Sequence, residues 1–278
     1  MSSQEIAENF SPLIYTDLDG TLLDHNTYSF DSALPALAEL KKKDIPLIIC
    51  TSKTRAEIEE LRLHLHNVHP FVSENGGAIF IPKSYFDHSF NYDKEDSGYF
   101  IIELGTPYSK IRELLSEVQA VFPGNIKGFG DLSLEDIADL CEFSLNEAWL
   151  AKKREYDEPL IMEDVVDIKK IKEIAESAHL RIIRGGRFYH FHGENDKGKA
   201  VLLLTDLFKK KHANIKTIAL GDSQNDLPML KAVDYPVLVQ KHDGSYDPAV
   251  KIDNLFLAPG IGPFGWNAAV LELLYNLL

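Results

Sequence analysis

The chain has 278 residues, 45% of them hydrophobic, and a formal net charge of −14. That size holds two domains, or one with a large insertion, and the ordinary apolar fraction excludes a disordered chain. The acidic balance argues against nucleic-acid binding through a basic surface, and no apolar run reaches the ~18 residues of a membrane span. The first eleven residues are polar and lack a signal-peptide pattern, and two cysteines, Cys50 and Cys141, make no disulfide framework. A cytoplasmic enzyme is the expectation. Any anionic substrate must then be drawn by a local basic pocket and a metal, against the overall field.

In chain order, the apolar run 13–15 reads as a β-strand ending in Asp17-Leu18-Asp19-Gly20-Thr21. Carboxylates two residues apart at a strand end point the same way, and their repulsion needs a reward. A bound cation supplies one, and hard Mg²⁺ prefers oxygen ligands. One carboxylate can then be a nucleophile and the other a general acid/base. Asp31 or Ser32 is positioned to cap a helix through Leu40, with Pro35 in its first turn. Residues 47–50 form a second buried strand, ending in Thr51-Ser52-Lys53. Thr54 and Glu57 have capping-box spacing for the next helix, although Thr51 also has a helix-cap side chain. Residues 72–81 read as strand, turn, strand, with Glu74-Asn75-Gly76-Gly77 at the turn.

Residues 84–190 carry their own elements: a strand over 99–104, helices at 106–121, from Ser144, and over 167–178, and extended segments at 158–162, 180–183 and 187–191. They predict an inserted α/β unit. Beyond it, Asp196-Lys197-Gly198 opens a helix. Residues 218–220 form a strand ending in Gly221-Asp222-Ser223-Gln224-Asn225-Asp226. A helix follows Pro228, and 237–239 is a last strand. In an open α/β sheet, ligands bind outside the carboxyl ends of the strands. An Asp pair, a hydroxyl, a lysine and a second Asp pair therefore converge on one crevice.

This ordered set resembles the haloacid dehalogenase-like phosphatase superfamily. The resemblance implies an α/β fold: a Rossmann-like core with a parallel sheet over 1–83 and 191–278, and a C2-type α/β cap over 84–190 that sets specificity. It also implies roles. Asp17 is the nucleophile that becomes an aspartyl phosphate, and Asp19 the acid/base. Thr51 holds the phosphoryl group and Lys197 neutralises it. Asp17, Asp19, Asp222 and Asp226 make the Mg²⁺ site, with Asp226 either a direct ligand or a supporting carboxylate.

Further segments resemble the mannosyl-3-phosphoglycerate phosphatases: Thr51-Ser52-Lys53-Thr54-Arg55, Glu74-Asn75-Gly76-Gly77, Arg154-Glu155-Tyr156-Asp157-Glu158-Pro159, Gly185-Gly186-Arg187-Phe188-Tyr189-His190 and Gly262-Pro263-Phe264-Gly265-Trp266-Asn267. The implied substrate is a small phosphorylated glycoside with a phosphate, a carboxylate and a sugar. Arginine forks suit carboxylates, which points to Arg154 and Arg187, although Arg154 also sits in the charge run 152–155. Ser52, Lys53, Glu74, Asn75, Gly76, Glu155 and Gly186 complete the expected substrate contacts. A glucosyl or other sugar-phosphate phosphatase, or a phosphomutase of the same superfamily, are the alternatives.

Three signals are set aside. The segment 193–200 nearly matches a P-loop, but Ala200 stands where a metal-binding hydroxyl is needed. His64, His66 and His69 lack the spacing of a helical zinc pair. Lys209-Lys210-Lys211 suits a helix C-terminus and is no nucleic-acid motif.

Overall fold

The structure is a computed structural model, and it describes residues 11–163, 166–184, 188–212 and 214–277. The chain opens with β1 (Ser11–Thr16), followed by α1 (Leu34–Lys42), β2 (Leu47–Cys50), α2 (Arg55–Leu65), β3 (Phe71–Ser73), β4 (Ala78–Pro82), β5 (Lys94–Asp96) and β6 (Tyr99–Glu103). Thr54 caps α2 as its spacing predicts: its hydroxyl accepts from Glu57 N, while Glu57 accepts from Thr54 N. The expected cap of α1 is not formed. Asp31–Ala33 is already a 3₁₀ turn, so α1 starts from Ala33 without a side-chain cap, and Pro35 lies in its first turn as expected.

The middle of the chain contributes α3 (Tyr108–Val121), β7 (Ile126–Gly128), α4 (Leu134–Cys141), α5 (Leu145–Ala151), β8 (Asp157–Met162), α6 (Ile168–Ser177), β9 (Arg181–Arg184) and β10 (Tyr189–His192). The chain then returns through α7 (Lys197–Lys209), β11 (Ile215–Gly221), α8 (Leu227–Lys231), β12 (Tyr235–Gln240), β13 (Phe256–Ile261) and α9 (Gly262–Leu277).

The strands form two sheets. The larger has the order β13-β12-β11-β1-β2-β3-β4-β6-β5, and the smaller β7-β8-β10-β9. From β13 to β3 neighbours are parallel, while β4, β6 and β5 extend the sheet antiparallel. Strands β5 and β6 fall inside the segment 84–190 expected to be the cap, yet they hydrogen-bond to the large sheet. The reason is pairing: Tyr99–Glu103 lies antiparallel along β4, with Phe80 opposite Ile101. The second sheet therefore begins only beyond Glu103, and it takes in β10 through His192. Strands β7 and β13 were not anticipated, because Ile126–Gly128 has three residues and Phe256–Ile261 contains Pro259 and Gly260.

Alternation along β1 builds the two faces of the large sheet. Leu13 and Tyr15 join the layer with Val201 and Leu204 of α7, while Ile14 joins the layer with Trp266 and Val270 of α9. With helices on both faces, β1 is buried on both sides, which is why its sequence is an unbroken apolar run. The small sheet buries one face against α3 and α6 through Leu115, Ile171 and Phe191.

Candidate active site

The register brings the predicted motifs side by side. Thr16, the last residue of β1, pairs with Leu220 of β11 on one side and Ile49 of β2 on the other. Asp17, Asp222 and Thr51 therefore leave three adjacent strands at one level. Strand order reverses direction about β1, which makes this the topological switch point where open α/β sheets bind ligands.

Lys197 is the first residue of α7, whose N-cap Asp196 accepts from Lys199 N at 2.9 Å. Its ammonium is buried and donates to Asp17 Oδ1 at 2.8 Å and Asp226 Oδ1 at 2.6 Å. Burial opposes the lysine charge, but Asp17 and Asp226 outweigh it and hold its pKa up. Carboxylate oxygens of Asp17, Asp222 and Asp226 lie within 4.8 Å of one another. Burial, then the Asp226 charge, raise the Asp17 pKa, with Lys197 opposing. Burial and the two neighbouring carboxylates push Asp222 up to about 8. One ammonium does not balance three clustered carboxylates, so the donor set fits a hard divalent cation. Both Asp226 oxygens already accept, Oδ1 from Lys197 and Oδ2 from Asp222 N and Ser223 N at 3.1 and 3.2 Å.

The Asp19 side chain does not join that trio. It turns to Lys53, whose Nζ lies 3.0 Å from Asp19 Oδ1 and 3.6 Å from Glu57. Loss of water around the carboxylate raises the Asp19 pKa, Lys53 lowers it and Asp17 raises it further, with a net upward shift. A carboxyl tuned upward beside the proposed nucleophile is suited to proton transfer.

Thr51 is fully buried at the end of β2, and its backbone is bonded to Val72 O and Asn75 N. The cap of α2 is Thr54, so Thr51 is not a helix cap. Ser52 and Lys53 line the cavity; Glu74, Asn75, Gly76 and Glu155 do not. Glu74 spends its carboxylate on the backbone N–H groups of Glu155 and Tyr156, the latter at 2.8 Å. Asn75 Nδ2 donates to Asp157 Oδ2 at 3.1 Å. Gly76 has φ +87°, and a Cβ there would meet Asp196 O at 2.3 Å. These residues tie the turn after β3 to the start of β8 and the approach to α7. Expected as sugar ligands, Glu74 and Asn75 are instead buried; protein N–H groups take up the Glu74 carboxylate, Asp157 takes up the Asn75 amide N–H, and the Asn75 Oδ1 has no partner among the described residues.

Arg154 does face the cavity, with Nη1 donating to Ser52 O at 2.9 Å and Nε to Ala151 O at 2.8 Å. It therefore bridges the second sheet's approach to the Ser52 loop. Gly186 and Arg187 lie outside the described residues.

The cavity has a volume of about 440 Å³. Its floor is Asp17, Asp19 and Asp222, and its walls add Tyr28, Phe129, Phe143, Phe188 and His190. His190 Nδ1 is 2.8 Å from Asp157 Oδ1, and despite burial the imidazole helps hold the Asp157 pKa below the ordinary range. Phe129 and Phe188 meet edge to face at 5.1 Å, and Tyr28 and Phe143 at 5.8 Å. Phe188 and His190 have i, i+2 spacing in a stretch that reads as extended in sequence, and that spacing is the signal that both face one side. Tyr28, Phe129 and Phe143 come from loops and turns, where no periodicity marks them.

The parallel sheet, the acidic crevice at its switch point and the buried lysine define a haloacid dehalogenase-like hydrolase. The family model for haloacid dehalogenase-like hydrolases matches residues 14–246, and the chain belongs to that family. It is 51% identical over 263 residues to a glucosyl-3-phosphoglycerate/mannosyl-3-phosphoglycerate phosphatase of Methanococcoides burtonii, covering 94% of this chain and 97% of that protein. A protein of the same name from Persephonella marina is 43% identical, over 95% of this chain and 98% of its own length. A mannosyl-3-phosphoglycerate phosphatase of Pyrococcus horikoshii is 38% identical, over 87% and 97%. A solved phosphatase of the same superfamily from Bacteroides thetaiotaomicron shares the fold at a TM-score of 0.66 and 17% identity, covering both chains completely.

Proposed function

We propose that this chain is a Mg²⁺-dependent phosphatase that converts mannosyl-3-phosphoglycerate, and the glucosyl compound, to glycosylglycerate and phosphate. The observation that carries the reading is the buried Lys197–Asp17 ion pair beside Asp222, at the foot of a cavity walled by Arg154, Phe188 and His190. Relatives whose names include both sugars support the substrate pair.

In this reading the Asp17 carboxylate attacks phosphorus, forming an aspartyl phosphate, while Asp19 gives its proton to the departing glycerate oxygen. Asp19 then takes a proton from water, whose oxygen attacks the same phosphorus. Phosphate leaves and the Asp17 carboxylate is restored. Lys197 stays charged throughout and neutralises Asp17 and the phosphoryl oxygens. Thr51 is the proposed phosphoryl ligand, a role supported by its place just past the end of β2, as Asp17 lies just past the end of the paired strand β1. Asp17 and Asp222, with Asp226 as the supporting carboxylate, would hold Mg²⁺, which would supply charge stabilisation of the transferring group. Arg154 and Lys53 serve the glycerate carboxylate, and the aromatic walls exclude water from the sugar side. Cys50 and Cys141 are both buried and form no disulfide, in accord with a cytoplasmic location.

Phosphate release from both glycosyl-3-phosphoglycerates, compared with glucose 6-phosphate and p-nitrophenyl phosphate, tests the proposal. The expected result is a higher kcat/KM for the two glycosyl-phosphoglycerates. A preference for the generic esters sinks the substrate assignment.

A further inference from the structure

The C-terminal segment Gly262-Pro263-Phe264-Gly265-Trp266-Asn267 contributes no side chain to the cavity walls, yet it reaches the proposed nucleophile from behind. Trp266 is completely buried, and its indole Nε1 donates to Thr16 Oγ1 at 3.0 Å. The Thr16 hydroxyl in turn donates to the Asp17 carbonyl at 2.7 Å. Chemistry sets the direction of this chain. An indole N–H only donates, a carbonyl only accepts, and a hydroxyl between them does both.

The sheet explains why Asp17 needs this support. Asp17 N donates to Leu220 O at 2.9 Å, the last rung of the β1–β11 ladder. In a parallel ladder the next rung would run from Asp222 N to the Asp17 carbonyl. Asp222 N turns away instead, to Asp226 Oδ2 at 3.1 Å, as the acidic loop forms. The Thr16 hydroxyl takes the vacated place. The helix start is built to deliver Trp266 there: a Cβ on Gly265 would lie 2.1 Å from Gly260 O, so only glycine allows this approach of α9 to β13. Asn267 anchors the same turn, its Oδ1 accepting from Ala36 N at 2.9 Å.

We infer that Trp266 and Thr16 are positioning residues for Asp17, fixing the peptide that follows it so that its carboxylate is held for attack. The inference rests on Asp17 being the nucleophile. It concerns orientation of the reacting group, so it acts on kcat and not on substrate binding.

The test uses Trp266→Phe, which keeps an aromatic ring and removes the N–H, together with Thr16→Val, Thr16→Ser and the Trp266→Phe/Thr16→Val double variant. Each is assayed on p-nitrophenyl phosphate and on the glycosyl-phosphoglycerate. Trp266→Phe and Thr16→Val are each expected to lower kcat roughly 3- to 10-fold on both substrates with little change in KM, the size of one lost neutral hydrogen bond. Thr16→Ser keeps the hydroxyl and should stay near wild type. The double variant should be no slower than the slower single, because one chain is broken in either case. Orthovanadate, which mimics the five-coordinate phosphorus, should lose inhibition by the same factor as kcat. Unchanged kcat in Trp266→Phe, additive losses, or a Thr16→Ser variant as slow as Thr16→Val would overturn the inference. A loss confined to KM would do so too. Hydrolysis of p-nitrophenyl phosphate alone would defeat only the substrate reading and leave this test intact. Full turnover by Asp17→Asn would remove the nucleophile on which it rests.

Discussion

Glu74→Gln should flatten a pH dependence of stability that the structure builds into the junction between the two sheets. The Glu74 carboxyl is completely buried. Its oxygens accept from Glu155 N and Tyr156 N, and its pKa is pushed from the ordinary 4.5 up to about 8. Burial is the main cause; Arg154 opposes it and the Asp157 charge adds to it. Because the folded-state pKa is the higher, the folded protein holds a proton on Glu74 between about pH 4.5 and 8 that the unfolded chain has released. Stability from this group is therefore fully present below 4.5 and is lost as pH rises toward 8. The full window corresponds to about 5 kcal/mol at about 1.4 kcal/mol per pH unit. Glutamine keeps an amide oxygen for the Tyr156 N–H and does not titrate. Urea unfolding of both proteins from pH 5 to 8.5 gives the difference directly, since Asp222 and the other carboxylates are common to both. Wild type should lose several kcal/mol relative to Glu74→Gln across that range. A difference that stays flat within about 1 kcal/mol would refute the reasoning.

Asp17→Asn should lose at least about 1,000-fold in turnover while remaining folded. Asp19→Asn should turn over slowly and accumulate aspartyl phosphate, visible by intact-protein mass spectrometry with a good leaving group. Chelation should abolish phosphate release and Mg²⁺ restore it, with Ca²⁺ inhibitory because it takes more ligands at longer distances; activity that survives exhaustive chelation would rule out the metal role of Asp17 and Asp222. Arg154→Ala should depress kcat/KM for the glycosyl-phosphoglycerate about 10- to 150-fold more than for p-nitrophenyl phosphate, the cost of a charge-assisted hydrogen bond. Using the ratio of two substrates cancels any general effect of losing its bond to Ser52 O. Equal losses would assign Arg154 to folding.

The sequence by itself determined which motifs meet at the crevice. Asp17, Thr51 and Asp222 follow short apolar strands, and Lys197 opens a helix. A parallel sheet sends all such strand ends to one side, so order along the chain was enough to predict their convergence. The capping box of Thr54 and Glu57 was equally legible, because its partners are three residues apart. What the tertiary structure decided depends on partners far apart in sequence. Strand Tyr99–Glu103 has the composition of any β-strand, and only its pairing with β4 assigns it to the large sheet. Asp19 and Asp226 are both acidic residues in motifs, yet Lys53 draws one away while Lys197 ties the other to Asp17. Glu74 and Asn75 look like sugar ligands in sequence, and become a buried clamp because Glu155, Tyr156 and Asp157 arrive about eighty positions later to bond the Glu74 carboxylate and the Asn75 amide N–H. A side chain's type limits what it can do; which role it takes is set by the groups that long-range packing brings within hydrogen-bond reach.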